Sequence, residues 1–245
     1  MTIDTAFLFD TLLQLLRALP TTLLLFAASV ALGTLLALLI VWLRTCQVAV
    51  LRHLARGYIF LFRGSPLLIQ MFLLYYGLSQ FPEVRQSPFW PVLREPLSCA
   101  VIALALCTAG YMAEIFRGGL QAVPAQQIEA ARAAGMSGGL LARRIIIPIA
   151  LRSCLPAYST EIILMMKATS LASLVTVYEV SGVAQRIIAE TYRTLEVFLC
   201  AALVYLVLNF LIVRTLTLVE RRLSPRQPAT ASPTTKKYAL SAPRG

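Results

Sequence analysis

Glu161 is the hardest residue of this chain to accommodate, a carboxylate near the middle of an otherwise apolar stretch from about Ala150 to Thr169. An ionised acid in the hydrocarbon layer costs on the order of 3 kcal/mol unless it faces water or a cation. It is therefore either the counter-ion of a cationic ligand crossing a membrane or a structural partner of an arginine or lysine. Intramembrane acids default to the functional role. Gly64-Ser65-Pro66 raises a similar question, because it interrupts an apolar stretch from about Tyr58 to Leu78. Pro66 removes a backbone hydrogen bond and crowds the preceding turn. Carbonyls freed at that depth must be received by protein or by a water-filled cavity. Broken helices often line substrate paths, although a kink for packing alone would read the same way.

Other candidate chemistry is weaker. Glu114 lies one turn before Arg117, a spacing that suits a local ion pair. Gly135-Met136-Ser137-Gly138 has the G-x-S-x form of intramembrane serine proteases. A nucleophilic serine needs a base within hydrogen-bond reach, and the single histidine, His53, sits in a short basic loop. No catalytic residue is assigned. The cysteines, Cys46, Cys99, Cys107, Cys154 and Cys200, lack metal-type spacing and read as small buried hydrophobes, so no metal site is assigned either. No G-x-x-x-x-G-K-[ST] loop is present to cradle nucleotide phosphates, so no cofactor is expected and any ATP belongs to a partner.

The elements that hold these residues are membrane spans. The chain is 58% hydrophobic and only 13% charged, about half the charge of a soluble domain. Its long continuous apolar stretches imply an all-α, multi-pass membrane protein. Five spans are expected, near Pro20–Leu43, Tyr58–Leu78, Leu97–Phe116, Ala150–Thr169 and Leu195–Val219. A helical approach carrying Phe7, Leu8, Leu12, Leu15 and Leu16 precedes the first. The N-terminal segment, with Asp4, Asp10 and a long apolar run, does not read as a cleaved signal peptide. Ser170 to Thr194, with Glu179, Arg186, Glu190 and Arg193, is too polar to span and reads as short helices on the outer side. Residues 1–223 form the membrane domain and 224–245 a disordered cytoplasmic tail rich in Pro, Ser, Thr and Lys.

Five spans put the termini on opposite sides. With the N-terminus outside and the C-terminus inside, the inner segments hold Arg44, Arg52, Arg56, Arg117, Arg132, Arg143 and Arg144. The outer loop from Phe81 to Pro96 has only Arg85 and Arg94, matched by Glu83 and Glu95. That bias places the loop from about 117 to 148 in the cytoplasm. The net charge of +11 is thus a topology signal and not a nucleic-acid surface.

Within that loop, Glu129-Ala130-Ala131, three residues, Gly135, nine residues, Ile145, one residue, Ile147-Pro148 resembles the EAA motif of bacterial ABC importer permeases, with Ile147 where Leu is usual. Pro124 can open a helix there and Gly135 can end it in a left-handed conformation. An ordinary Ala-rich connecting helix is the plainer alternative. Further stretches are similar to the polar amino-acid branch of that family: Phe62 to Gln70 (FRGSPLLIQ), Gly110 to Gly119 (GYMAEIFRGG), Leu155 to Glu161 (LPAYSTE) and Lys167 to Leu171 (KATSL). Gln126 departs from the usual Gly. The likeness is strongest to M-type permease subunits of histidine/lysine/arginine/ornithine and octopine/nopaline uptake systems.

The resemblance implies a type I ABC importer permease fold in a bacterial inner membrane, non-catalytic itself. Its implied partners are ATP-binding subunits, a second homologous or identical permease subunit, a periplasmic substrate-binding protein and membrane lipid. Glu129, Ala130, Ala131, Gly135 and Pro148 would couple to the ATPase. Glu161, Gly64, Ser65 and Pro66 would line the path of a basic amino acid or arginine-derived opine. The outer segment 170–194 would gate that path or serve as an amphipathic connector. Alternatives are a permease for another polar amino acid and, in another class, an ion-coupled secondary carrier, which should show internal repeats that the sequence lacks.

Overall fold

Leu19–Thr45 contains one charge, Arg44 in its last turn, so nothing but helix can satisfy its backbone in an apolar surround. A computed structural model describes residues 4–223, and every regular element among them is helical. The expected tail 224–245 lies outside the described residues. The elements are α1 (Thr5–Arg17), α2 (Leu19–Thr45), α3 (Ala49–Gly64), α4 (Leu67–Phe72), α5 (Pro82–Arg85), α6 (Trp90–Leu93), α7 (Pro96–Gln121), α8 (Ala125–Ala133), α9 (Gly138–Leu141), α10 (Ile147–Ala168), α11 (Val180–Thr191) and α12 (Thr194–Leu223).

Three stretches are long and apolar enough to cross a bilayer: 5–45, 96–121 and 194–223. Two more qualify as bent pairs, 49–64 with 67–80 at 107° and 138–175 with 180–191 at 46°. Each of the five expected spans overlaps one of these stretches, although the bent pair that overlaps the fourth extends beyond the expected Ala150–Thr169 and takes in part of the segment expected to lie outside the spans. The second differs from expectation in its length, since α3 begins at Ala49 and not near Tyr58.

The spans approach closely because small residues sit where they cross. α7 is central, packing along both α2 and α10. A Cβ on Gly33 of α2 would stand 2.9 Å from the Thr108 side chain. One on Gly119 would stand 2.7 Å from the Ala150 carbonyl of α10. Without a strong hydrophobic force between helices in lipid, such contact is what holds them together.

Ion pairs fix the ends. Glu114 accepts two hydrogen bonds from Arg117, at 2.8 and 2.6 Å, as its spacing foretold. Its other oxygen pairs with Arg44 of α2, seventy residues away and invisible to local spacing. At the other end Asp4 caps α1 by accepting from the Phe7 N–H at 3.1 Å and pairs with Arg193 at 3.2 Å. The Phe7 N–H and then the Arg193 guanidinium hold the Asp4 carboxyl below its ordinary range.

Residues 170–194 form the expected short helices, a 3₁₀ turn over Thr169–Val175 followed by α11. Glu179 anchors them. Fully buried, it caps α11 through the Gly182 N–H at 3.0 Å and accepts from the Tyr205 hydroxyl of α12 at 2.6 Å and the Thr22 hydroxyl of α2 at 3.5 Å. Three elements are tied by one carboxylate.

Candidate functional site

The break in the second span is built, not frayed. α3 ends at Gly64, and Ser65 and Pro66 are extended at φ −111°, ψ 147° and φ −64°, ψ 134° before α4 starts. Pro66 cannot donate and its neighbours cannot keep helical register, so carbonyls at the end of α3 lose their partners. Gln70 replaces them. Its side-chain N–H2 donates to the Phe62 carbonyl at 2.9 Å, the Ser65 carbonyl at 3.0 Å and the Ser65 hydroxyl at 2.9 Å. The Ser65 hydroxyl in turn donates to the Leu61 carbonyl at 2.7 Å. Side chains of the protein thus receive the Leu61, Phe62 and Ser65 carbonyls. Gln70 itself is 7% exposed.

The end of α3 lies across the middle of α7. A Cβ at Gly110 would stand 3.4 Å from the Phe62 Cβ and 3.6 Å from the Arg63 Cγ, so a small residue there admits the broken end. The Arg63 guanidinium sits 5.2 Å from the centroid of the Tyr111 ring. Cys107 Sγ points at the Phe62 carbonyl at 4.0 Å.

Glu161 enters this same neighbourhood from α10. It is 8% exposed and forms no hydrogen bond or ion pair among the described residues. Its neighbour Ile162 packs in one cluster with Ile59 of α3 and Ala109 of α7. Of the residues singled out from sequence, Glu161 and the Gly64-Ser65-Pro66 break are therefore carried by elements that both pack on α7. Gln70 was missed as a working residue. Its signal was a buried-type position carrying an amide shortly after a helix-breaking proline.

The loop around α8 is a second candidate region. Pro124 precedes α8 as its cap, one position earlier than an opening residue inside the helix. α8 closes with the Met136 N–H on the Ala131 carbonyl at 3.0 Å and the Gly135 N–H on the Arg132 carbonyl at 2.9 Å, while Gly135 takes φ +80°. This paired closure requires a left-handed residue, hence glycine. Glu129, Ala130 and Gly135 are exposed, whereas Ala131 is buried against its own chain. The small-residue face open to a partner is thus narrower than the motif alone suggests.

α7 runs on to Gln121, so the first residues of the stretch 117–148 are still helical. Pro148 lies inside a continuous helical stretch and not at its edge. A π-helical turn over Ala142–Ile146 precedes it, widening the ladder where a proline would crowd an α-helix. Ser137 and His53 share no hydrogen bond; His53 Nδ1 instead meets the Ala49 carbonyl at 2.7 Å.

Residues 29–225 match the family described as binding-protein-dependent transport system inner membrane component. The chain is 54% identical over 227 residues to the octopine transport system permease protein OccM of Rhizobium radiobacter, covering 93% of each. It is 44% identical over 237 residues to the nopaline transport system permease protein NocM of Agrobacterium fabrum, covering 96% of this chain and 98% of the other. With the arginine ABC transporter permease protein ArtM of Escherichia coli (strain K12) it shares 42% over 217 residues, 88% of this chain and 96% of that one. A solved structure described as the crystal structure of an amino acid ABC transporter with histidines superposes with TM-score 0.81 at 33% identity, covering 91% of this chain and all of that one. The methionine ABC transporter MetNI in an inward-facing form shares the fold, with TM-score 0.66 at 17% identity over 90% of this chain and 99% of that one.

Proposed function

This chain belongs to the family of binding-protein-dependent transport system inner membrane components, and on that premise we propose that it is the permease subunit of an ATP-driven importer for a basic amino acid or an arginine-derived opine. One observation carries the choice of cargo. Glu161 is a buried carboxylate without an ion-pair partner, held beside a broken helix. An uncompensated charge there is costly, and a cationic side chain passing the break would supply the missing partner. Octopine, nopaline and arginine, named for the relatives, all carry a guanidinium-derived group, which supports this reading.

Transport then works by division of labour. A periplasmic binding protein delivers cargo to the outer side, where α11 and its Glu179 anchor stand between cargo and path. Glu161 takes the cationic group, while Gln70 keeps the carbonyls at the end of α3 occupied. Cytoplasmic ATP-binding subunits hold α8 through Glu129, Ala130 and the neighbourhood of Gly135. When they close on ATP, α8 moves with them, and Pro148 at the base of α10 passes that motion to the helix carrying Glu161. A second permease subunit completes the path. The N-terminus lies outside and the C-terminus inside, in a bacterial inner membrane, consistent with the arginine-rich inner segments.

The test is reconstitution with the operon partners in proteoliposomes, ATP inside and binding protein outside. Labelled arginine, histidine, octopine, nopaline and a neutral amino acid are offered. Uptake of a cationic cargo that needs ATP, the ATP-binding subunits and this chain is the expected result. Equal uptake without the ATP-binding subunits would overturn the importer, and uptake of the neutral amino acid alone would overturn the choice of cargo.

A further inference from the structure

A groove of about 640 Å³ opens between α2, α7 and α10, within the ~300–1,000 Å³ common for small-molecule sites. Thr34, Phe116 and Tyr158 are among its lining residues. The Thr34 and Tyr158 hydroxyls satisfy each other at 3.2 Å, and the Phe116 and Tyr158 rings stack at 5.8 Å, so little there invites water. Ile147 and Leu151 line it as well, with Arg152, the one charged side chain lining the groove among the described residues.

Some arginines of these helices have a partner and others, Arg152 among them, do not. Arg44 and Arg117 share Glu114, Arg63 lies over Tyr111 and Arg214 over Phe210. Arg152 has neither a carboxylate nor a ring partner among the described residues. It precedes Glu161 by nine residues, ~14 Å along a helix. With Glu161 near the bilayer centre, that depth falls at the edge of a hydrocarbon half-layer ~15 Å thick. An unpaired guanidinium at that level seeks an anion, and phospholipid phosphates lie there.

We propose that this groove binds one anionic phospholipid of the inner leaflet, Arg152 holding the phosphate and the apolar walls holding an acyl chain. Ile147 and Pro148 line the same groove, so the lipid would stand against the end of the EAA motif. From the proposed function this takes only the assignment of the Ile147 end to the inner face. The competing occupant is a helix of a second permease copy, which would have to bring its own acid, such as Glu220, to Arg152.

The intact importer, purified with its partners, is equilibrated with equal phosphatidylglycerol and phosphatidylcholine, and retained lipid is counted by native mass spectrometry. Wild type should keep phosphatidylglycerol in about fivefold preference, the size expected for one basic side chain at a membrane surface. R152Q should abolish the preference, R152K should keep it, and L151W, which crowds the groove, should lose both lipids. Equal preference in wild type and R152Q would overturn the proposal. So would efficient disulfide cross-linking of two permease chains through L151C, which gives the groove to the second copy. Lipid counts are read without transport, so they stand or fall independently of the cargo.

Discussion

The Gln70 side-chain amide donates to the Phe62 carbonyl at 2.9 Å, spanning the Gly64-Ser65-Pro66 break and replacing the hydrogen bond that Pro66 cannot make. One side chain thus converts a helix interruption into a rigid corner of 107°. Q70L keeps similar bulk and removes every donor. Removing the amide donors from the half-buried Phe62 and Ser65 carbonyls should cost about 1–3 kcal/mol in all. The purified complex should melt several degrees lower and uptake should fall. An unchanged melting temperature would mean that the break does not depend on Gln70.

Glu179 and Tyr205 form a second long-range bond, at 2.6 Å, between α11 and α12. Y205F deletes the hydroxyl while keeping the ring. Hydrogen bonds to a charged group are worth about 1.5–3 kcal/mol, so this variant should loosen α11 from α12. Hydrogen exchange over 180–191 should accelerate, while exchange in α8 stays as in wild type. Equal protection of α11 in both proteins would remove Glu179 as its anchor.

Gly119 meets α10 where a Cβ would stand 2.7 Å from the Ala150 carbonyl. Backbone cannot step aside as a side-chain tip can, so G119V must push α7 from α10. Overpacking of this kind costs about 1–3 kcal/mol. Reduced yield of folded chain in mild detergent is expected, and G118V, which meets open space, serves as the control. Equal yields would contradict the close crossing.

The coupling loop depends on backbone shape. At φ +80° Gly135 has open space around it, so what a valine meets there is the conformation itself and not a clash with neighbours. G135V should insert and assemble, yet ATP hydrolysis should no longer drive uptake. Normal coupling ratios would remove this loop from the transmission path.

How much of this was legible in the sequence depends on how local each cause is. Long uncharged runs announced α2, α7 and α12, because backbone in lipid has few alternatives. Gly135 announced the end of α8, and Glu114 with Arg117 announced an ion pair, because partners three residues apart meet on any helix. Arg44 could not be read as the second partner of Glu114, since only the packing of α2 on α7 brings them together. Gln70 and Glu179 stayed hidden for the same reason, one serving a break upstream and the other joining helices far apart in the chain. The helical setting of Pro148 was missed because a π-turn leaves no strong local mark.

The charge on Glu161 is the centre of the functional reading, and E161Q tests it most directly. The amide keeps shape and hydrogen-bonding reach while removing the charge that a cationic cargo would meet in a low-dielectric surround. Uptake of the cationic cargo into proteoliposomes should fall about tenfold or more, corresponding to ~1.4 kcal/mol of lost recognition. A neutral analogue carried by the same system should lose much less. Equal losses for both would make Glu161 a structural residue and contradict a path selective for positive charge.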